Sequence, residues 1–170
     1  MPGVIRLMNL KEKLLKLGTD DEILRHGFAP YMRDYDVIVE VYGDALPRGV
    51  YLFRFKYCFR ACCTTTLPDE TLRESWDDIN LNVDAWNRSG TASGFVWGAG
   101  SSSLDDVEPG WNYVEGSEIA REYSLRLGKE MHEVRLGTNV YLLRLVCHDL
   151  EVRRLTASEA AADESPRADV

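Results

Sequence analysis

A chain of 170 residues with 45% hydrophobic and 28% charged side chains has the size and composition of one soluble globular domain. Its net charge of −8 at pH 7 argues against nucleic acid, whose phosphates an acidic surface repels. No apolar run approaches the roughly 20 residues that span a bilayer, and the first residues lack the apolar core of a signal peptide, so the expectation is a cytoplasmic protein without membrane contact.

The acidity is concentrated. Residues 67–119 hold eleven Asp/Glu against two Lys/Arg, whereas 1–66 hold eight against ten, 120–155 five against seven and 156–170 four against one. Cys58, Cys62, Cys63 and Cys147 lack the two separated pairs of a structural zinc site, so reduced thiols are expected, with no metal and no cofactor.

In chain order, Asn9 opens an amphipathic helix with Leu10, Leu14 and Leu17 on one face, stopped at Gly18. Thr19-Asp20-Asp21-Glu22 has the form of a capping box and predicts a second short helix ending at Gly27, with Ile23 and Leu24 buried and His26 at its C-terminal end. From Asp36 the period changes to two, and Val37, Val39 and Val41 lead through a Gly/Pro turn at 43–49 into a partner strand. That strand aligns Tyr51, Phe53, Phe55, Tyr57 and Phe59 on one face and Arg54, Lys56 and Arg60 on the other. Leu72, Trp76, Ile79, Val83 and Trp86 follow at helical spacing.

Residues 87–116 read as a long irregular loop, rich in glycine and pinned by Phe95, Trp97, Trp111 and Tyr113. Ser117 caps a helix ending at Gly128. Strands near 130–136, 140–147 and 150–155 predict a closing three-stranded meander, its middle strand burying Tyr141, Leu143, Leu145 and Cys147. From Thr156 the composition predicts a disordered acidic tail, 156–170, after a single domain of residues 1–155.

No segment has the spacing of a nucleophile elbow, a phosphate loop or a zinc site. The carboxylate pairs Asp34/Asp36 and Asp77/Asp78 match no metal loop. His132 and His148 are general-base candidates, and they approach each other only if their strands pair in a suitable register.

Three groups of residues resemble the bacterial YxiG-like family of uncharacterised proteins. They are His26-Gly27-Phe28-Ala29-Pro30-Tyr31-Met32-Arg33-Asp34-Tyr35-Asp36; Ser75-Trp76-Asp77-Asp78 with Gly94-Phe95-Val96-Trp97-Gly98; and Gly128-Lys129-Glu130-Met131-His132-Glu133-Val134 with Thr138-Asn139 and Cys147-His148-Asp149-Leu150. The resemblance implies no activity for particular residues. The family's founding member is associated with a locus for a contact-dependent toxin, which implies an immunity-like role.

The sequence therefore predicts an α+β domain: an antiparallel sheet of about five strands with helices packed on one face. The expected function is protein binding rather than catalysis. Asp77, Asp78, Asp84, Asp105, Asp106 and Glu108 present an acidic surface to a basic protein partner such as a toxin domain, with Trp97 and Trp111 as anchors. The alternative is a small-molecule or hydrolytic site under loop 87–116, using His132, His148 and Asp149.

Overall fold

The alternation at Val37–Val41 forms the expected hairpin. In the computed structural model, which describes residues 9–14, 22–31, 33–43, 46–65, 79–81, 88, 94–96, 110–138 and 141–164, strand β2 (Tyr35–Val41) pairs antiparallel with β3 (Gly49–Lys56), setting Val37 opposite Phe53 and Asp36 opposite Arg54. Val37, Val39, Phe53 and Phe55 are fully buried, and Asp36 with Arg54 forms a two-pronged ion pair on the opposite face at 2.7 Å for each bond.

The partner of β2 on its other side corrects the second predicted helix. Glu22–Phe28 is a strand, β1, antiparallel to β2. Pairing with a neighbour supplies what the local capping pattern could not foresee. Ile23 packs against the core, but Leu24 is exposed rather than buried, and His26 lies on a strand with its Nδ1 at 2.7 Å from the Tyr35 hydroxyl.

The remaining strands are β4 (Arg60–Thr65), β5 (Ile79–Leu81), β6 (Gly94–Val96), β7 (Gly110–Val114), β8 (His132–Gly137), β9 (Tyr141–Cys147) and β10 (Asp149–Arg154). Eight of the strands form two four-stranded antiparallel sheets, ordered β1–β2–β3–β10 and β4–β9–β8–β7, while β5 pairs with β6. The single five-stranded sheet expected from the sequence is thus replaced by two. Their inward faces share one core, in which Val37, Val39, Phe53 and Phe55 of the first sheet join Val134, Leu136, Leu143, Leu145 and Cys147 of the second.

Two predicted elements are redrawn by this pairing. The helix proposed through Ile79 is extended at 79–81, where Ile-Asn-Leu also satisfies a period of two and Asn80 is a poor helix-interior residue; its other apolar positions, Leu72, Trp76, Val83 and Trp86, lie outside the described residues. The irregular loop contains β6 and β7, and β7 pairs with β8 at the edge of the second sheet.

The predicted meander also divides. Its first hairpin, β8–β9, is present, but β10 pairs with β3 in the other sheet. Lys56 faces Asp149 in one ladder and Arg60 faces Val146 in the next, so Tyr57, Cys58 and Phe59 oppose only Cys147 and His148. The extra residue is a bulge, and it turns the two-stranded ribbon from one sheet into the other. It also breaks the aromatic stripe: Tyr51, Phe53 and Phe55 are buried, whereas Phe59 is exposed. Tyr141, at the far end of β9, is exposed too.

Short helices complete the fold. In α1 (Leu10–Leu14), Asn9 Oδ1 accepts the Glu12 N–H at 2.9 Å and Leu10 and Leu14 enter the core. Helix α2 (Glu118–Leu127) starts at Ser117, whose Oγ accepts the Ala120 N–H, and ends at Gly128 in the left-handed region, as expected. Its Ala120 packs with Met131 and Val146 on the outer face of the second sheet. Within the segment expected to form a tail, Ala157–Glu164 is the helix α3. There the Thr156 hydroxyl and Glu159 carboxylate cap each other's backbone N–H groups. Residues 165–170 lie outside the described residues.

Candidate functional site

The bulge places an unusual residue at the sheet corner. Tyr57 has φ of +49°, and among the described residues it is the only non-glycine with positive φ. An L-residue in this region costs about 1–2 kcal/mol relative to ordinary backbone, so its neighbours must hold it there. Its N–H donates to Asp34 Oδ1 at 2.9 Å.

Asp34 is 2% exposed. It also accepts the Tyr31 hydroxyl at 2.7 Å and faces Lys56 Nζ at 3.3 Å. Burial pushes the Asp34 carboxyl up, but the bonds from Tyr31, the Tyr57 N–H and Lys56 outweigh it and hold the group below its ordinary value. The surrounding turn is pinned by Ala29 N–H to Asp34 carbonyl and by Cys58 N–H to Arg33 carbonyl, both at 2.8 Å.

The Tyr57 ring is met by two cations. The Arg33 guanidinium carbon and Lys129 Nζ each lie 4.8 Å from its centroid. Lys129 is set by the helix end, since its N–H donates to the Ser124 carbonyl. The His148 ring stands edge-on at 6.1 Å, and its Nδ1 donates to the Glu130 carbonyl at 2.7 Å.

In the β8–β9 register His132 faces Cys147, the residue before His148, and the charges of His148 and Asp149 act on the His132 ring. His132 Nδ1 shares a hydrogen bond of 2.9 Å with the Tyr113 hydroxyl. Burial lowers the affinity of His132 for a proton, and His148 adds to this while Glu130 and Asp149 oppose it. Asp149 is held by Lys13 at 2.6 Å.

A second buried acid lies beneath α2. Glu133, 3% exposed, accepts the Ser117 hydroxyl at 2.5 Å, Arg144 at 2.8 Å and Arg135 at 3.1 Å. Burial raises its carboxyl, and these three donors bring it below the ordinary value. It ties the helix start to two strands and is satisfied within the fold. Among the described residues no group of three or more His, Cys, Asp or Glu is arranged to hold a metal ion, and no helix is long and apolar enough to cross a membrane.

Tyr31, Arg33, Asp34, Lys129 and His148 come from the stretches that carry the family resemblance, and they meet at the corner although 31 and 148 are far apart in sequence. The sequence model of the YxiG-like protein family matches residues 7–163. The chain belongs to the YxiG-like family. No curated protein and no solved structure matches it.

Of the acidic residues proposed to face a partner in this YxiG-like protein, Asp77, Asp78, Asp84, Asp105, Asp106 and Glu108 lie outside the described residues, as does Trp97. Trp111 is partly buried, with its ring 5.2 Å from Phe55 and 5.7 Å from Phe53. From the same acidic segment, Glu115 pairs with Lys11 and Glu118 with Arg121 on the surface. Cys58 and Cys147 are buried free thiols, as expected, and burial pushes the Cys58 thiol up to about 12.

Sequence reasoning assigned no role to Arg33 or Lys129 and placed Tyr57 in the core stripe. The available signal was Lys129 immediately after a helix-ending glycine. The backbone state of Tyr57 has no counterpart in its residue type, because glycine is the residue that normally marks such a position.

Proposed function

We propose that this YxiG-like protein is a non-enzymatic binding module whose segment 67–119 presents Asp77, Asp78, Asp84, Asp105, Asp106 and Glu108 to a basic protein, in the manner of an immunity protein covering a toxin domain. The observation that supports this reading is where the strand cations find their counter-charges. Arg54 is held by Asp36, Lys56 by Asp34 and Glu151, and Arg135 and Arg144 by Glu133. Each of these carboxylates lies outside 67–119. The segment's net charge of −9, from eleven acidic and two basic residues, is therefore not needed to neutralise those strands and suits an opposite charge on a partner.

The test is capture from a bacterial lysate at low and high salt, followed by reconstitution with the purified partner. A variant with Asn at Asp77, Asp78, Asp84, Asp105 and Asp106 and Gln at Glu108 is expected to associate more slowly and to lose most of the salt dependence. A partner bound equally by the variant removes the reading.

A second reading is a small-molecule or hydrolytic site at His132, His148 and Asp149. It is supported by the β8–β9 register, which sets His132 opposite Cys147, next in sequence to His148 and Asp149, and by the charges of His148 and Asp149 acting on the His132 ring. Ligand-induced imidazole shifts that vanish in His132→Gln and His148→Gln would select it over the first reading.

A further inference from the structure

Two cations converge on the ring of a conformationally strained tyrosine in a chain whose net charge is −8. Arg33 and Lys129 are exposed, and neither meets a carboxylate among the described residues. Each charge is 4.8 Å from the same centroid, so the two lie within about 10 Å of each other and repel. The dipole of α2 accounts for a lysine just past its C-terminus. It does not account for Arg33, which comes from the turn between β1 and β2 and lies 5.8 Å from the Tyr31 ring as well as over Tyr57.

The backbone gives an independent argument. A bulge that served only to turn the ribbon would be made by glycine without strain. Tyrosine at this position places a ring beside both the turn that carries Arg33 and the helix end that carries Lys129. Strain held in place by surrounding bonds is found at binding and switch positions, and here Asp34 holds it. His148 adds an imidazole whose Nδ1 is committed to Glu130 and whose Nε2 has no partner among the described residues.

We propose that this corner binds the phosphoryl group of a small phosphate monoester, with Arg33 and Lys129 as its charged donors and Tyr57 fixing the distance between them. A dianion matches two cations and relieves their repulsion. The planar guanidinium engages two phosphate oxygens together, while the ammonium supplies a point charge. This site does not use the acidic segment and shares only His148 with the second reading; its charged donors, Arg33 and Lys129, belong to neither reading, so their variants test it separately.

The experiment is a titration of the full chain with inorganic phosphate, followed through backbone amide resonances, with chloride at matched ionic strength as the control. Wild type is expected to show saturable shifts at Arg33, Tyr57, Lys129 and His148, with a dissociation constant roughly in the millimolar range. Arg33→Gln and Lys129→Gln each remove one charge-assisted donor from an exposed position and are expected to weaken binding about tenfold. Tyr57→Gly keeps the bulge backbone, removes the ring and is expected to weaken binding as well. Absence of saturable shifts in the wild type, or equal affinity in Arg33→Gln and Lys129→Gln with native spectra, overturns the proposal.

Discussion

Tyr57 donates its backbone N–H to the buried carboxylate of Asp34 at 2.9 Å, across a sequence separation of 23 residues. The acid thus holds the left-handed residue in place, and that residue helps satisfy the acid. The corner at which the ribbon changes sheets is maintained by this exchange.

Asp34→Asn keeps the shape of the side chain but removes its charge beside Lys56 and the Tyr31 hydroxyl. The expected loss is about 2–4 kcal/mol at pH 7, because buried donors lose a charged acceptor. The Asp34 carboxyl is held below its ordinary value in the folded state. Its contribution is therefore complete above the unfolded carboxyl value near about 4 and is lost as pH falls through the lower folded value. Urea melts at neutral and acid pH should show a shallower acid slope in the variant. An unchanged slope would place the acid sensitivity elsewhere, with Glu133 the next group to test.

His132 is held below its ordinary proton affinity in the folded chain, so the unfolded state takes up a proton first as pH falls. Stability should therefore decline on acidification from about 7 into the range below the unfolded histidine value near 6.5. His132→Gln should flatten the melting-temperature profile in that window. Because Glu130, Asp149 and His148 act on the same ring, His148→Gln is the companion variant and should reduce the slope less.

Tyr57→Ala and Tyr57→Gly both delete the ring, but only glycine occupies the left-handed region without penalty. Tyr57→Gly is expected to be more stable than Tyr57→Ala by about 1 kcal/mol. Denaturant midpoints with a common m-value measure the difference. Equal midpoints would show that the bulge relaxes when the side chain is removed.

The thiols offer a probe of the core. Cys63 is exposed and Cys62 partly so, whereas Cys58 and Cys147 are buried. Burial raises the Cys58 and Cys147 thiols and disfavours the reactive thiolate. A colorimetric disulfide reagent should titrate Cys63 first, then Cys62, and reach Cys58 and Cys147 only at urea concentrations that unfold the chain. Early labelling of Cys147 would indicate local opening of β9.

Elements with local signals were legible in the sequence. The β2–β3 hairpin follows from strict alternation around a Gly/Pro turn, α1 from Asn9, and α2 from Ser117 and Gly128. Strand β1 was not legible, because Thr19–Glu22 carries a helix-start pattern and only pairing with β2 makes 22–28 a strand. Thr156-Ala157-Ser158-Glu159 did contain a capping box, but the polar composition after it pointed to disorder. The route of β10 was hidden for a different reason: a tight turn at His148 suggests continued pairing with β9, and the one-residue excess at 57–59 diverts the ribbon. Of the corner, Asp34 and His148 were visible as chemistry-bearing residues. Their meeting with Arg33, Tyr57 and Lys129 depends on that bulge and on no pattern within any one segment.

The ribbon made by β3–β4 and β9–β10 threads both sheets, with residues 49–65 against 141–154. In sequence, residues 66–109 are an excursion between β4 and β7, and the strands described within it, β5 and β6, pair with each other and with no other described strand. Lengthening such an excursion costs little, since doubling a loop adds only about 0.6 kcal/mol of closure entropy. Changes of length and charge in this stretch can therefore accumulate while the ribbon keeps the two sheets joined, so that the sequence there is free to vary without any cost to the ladders.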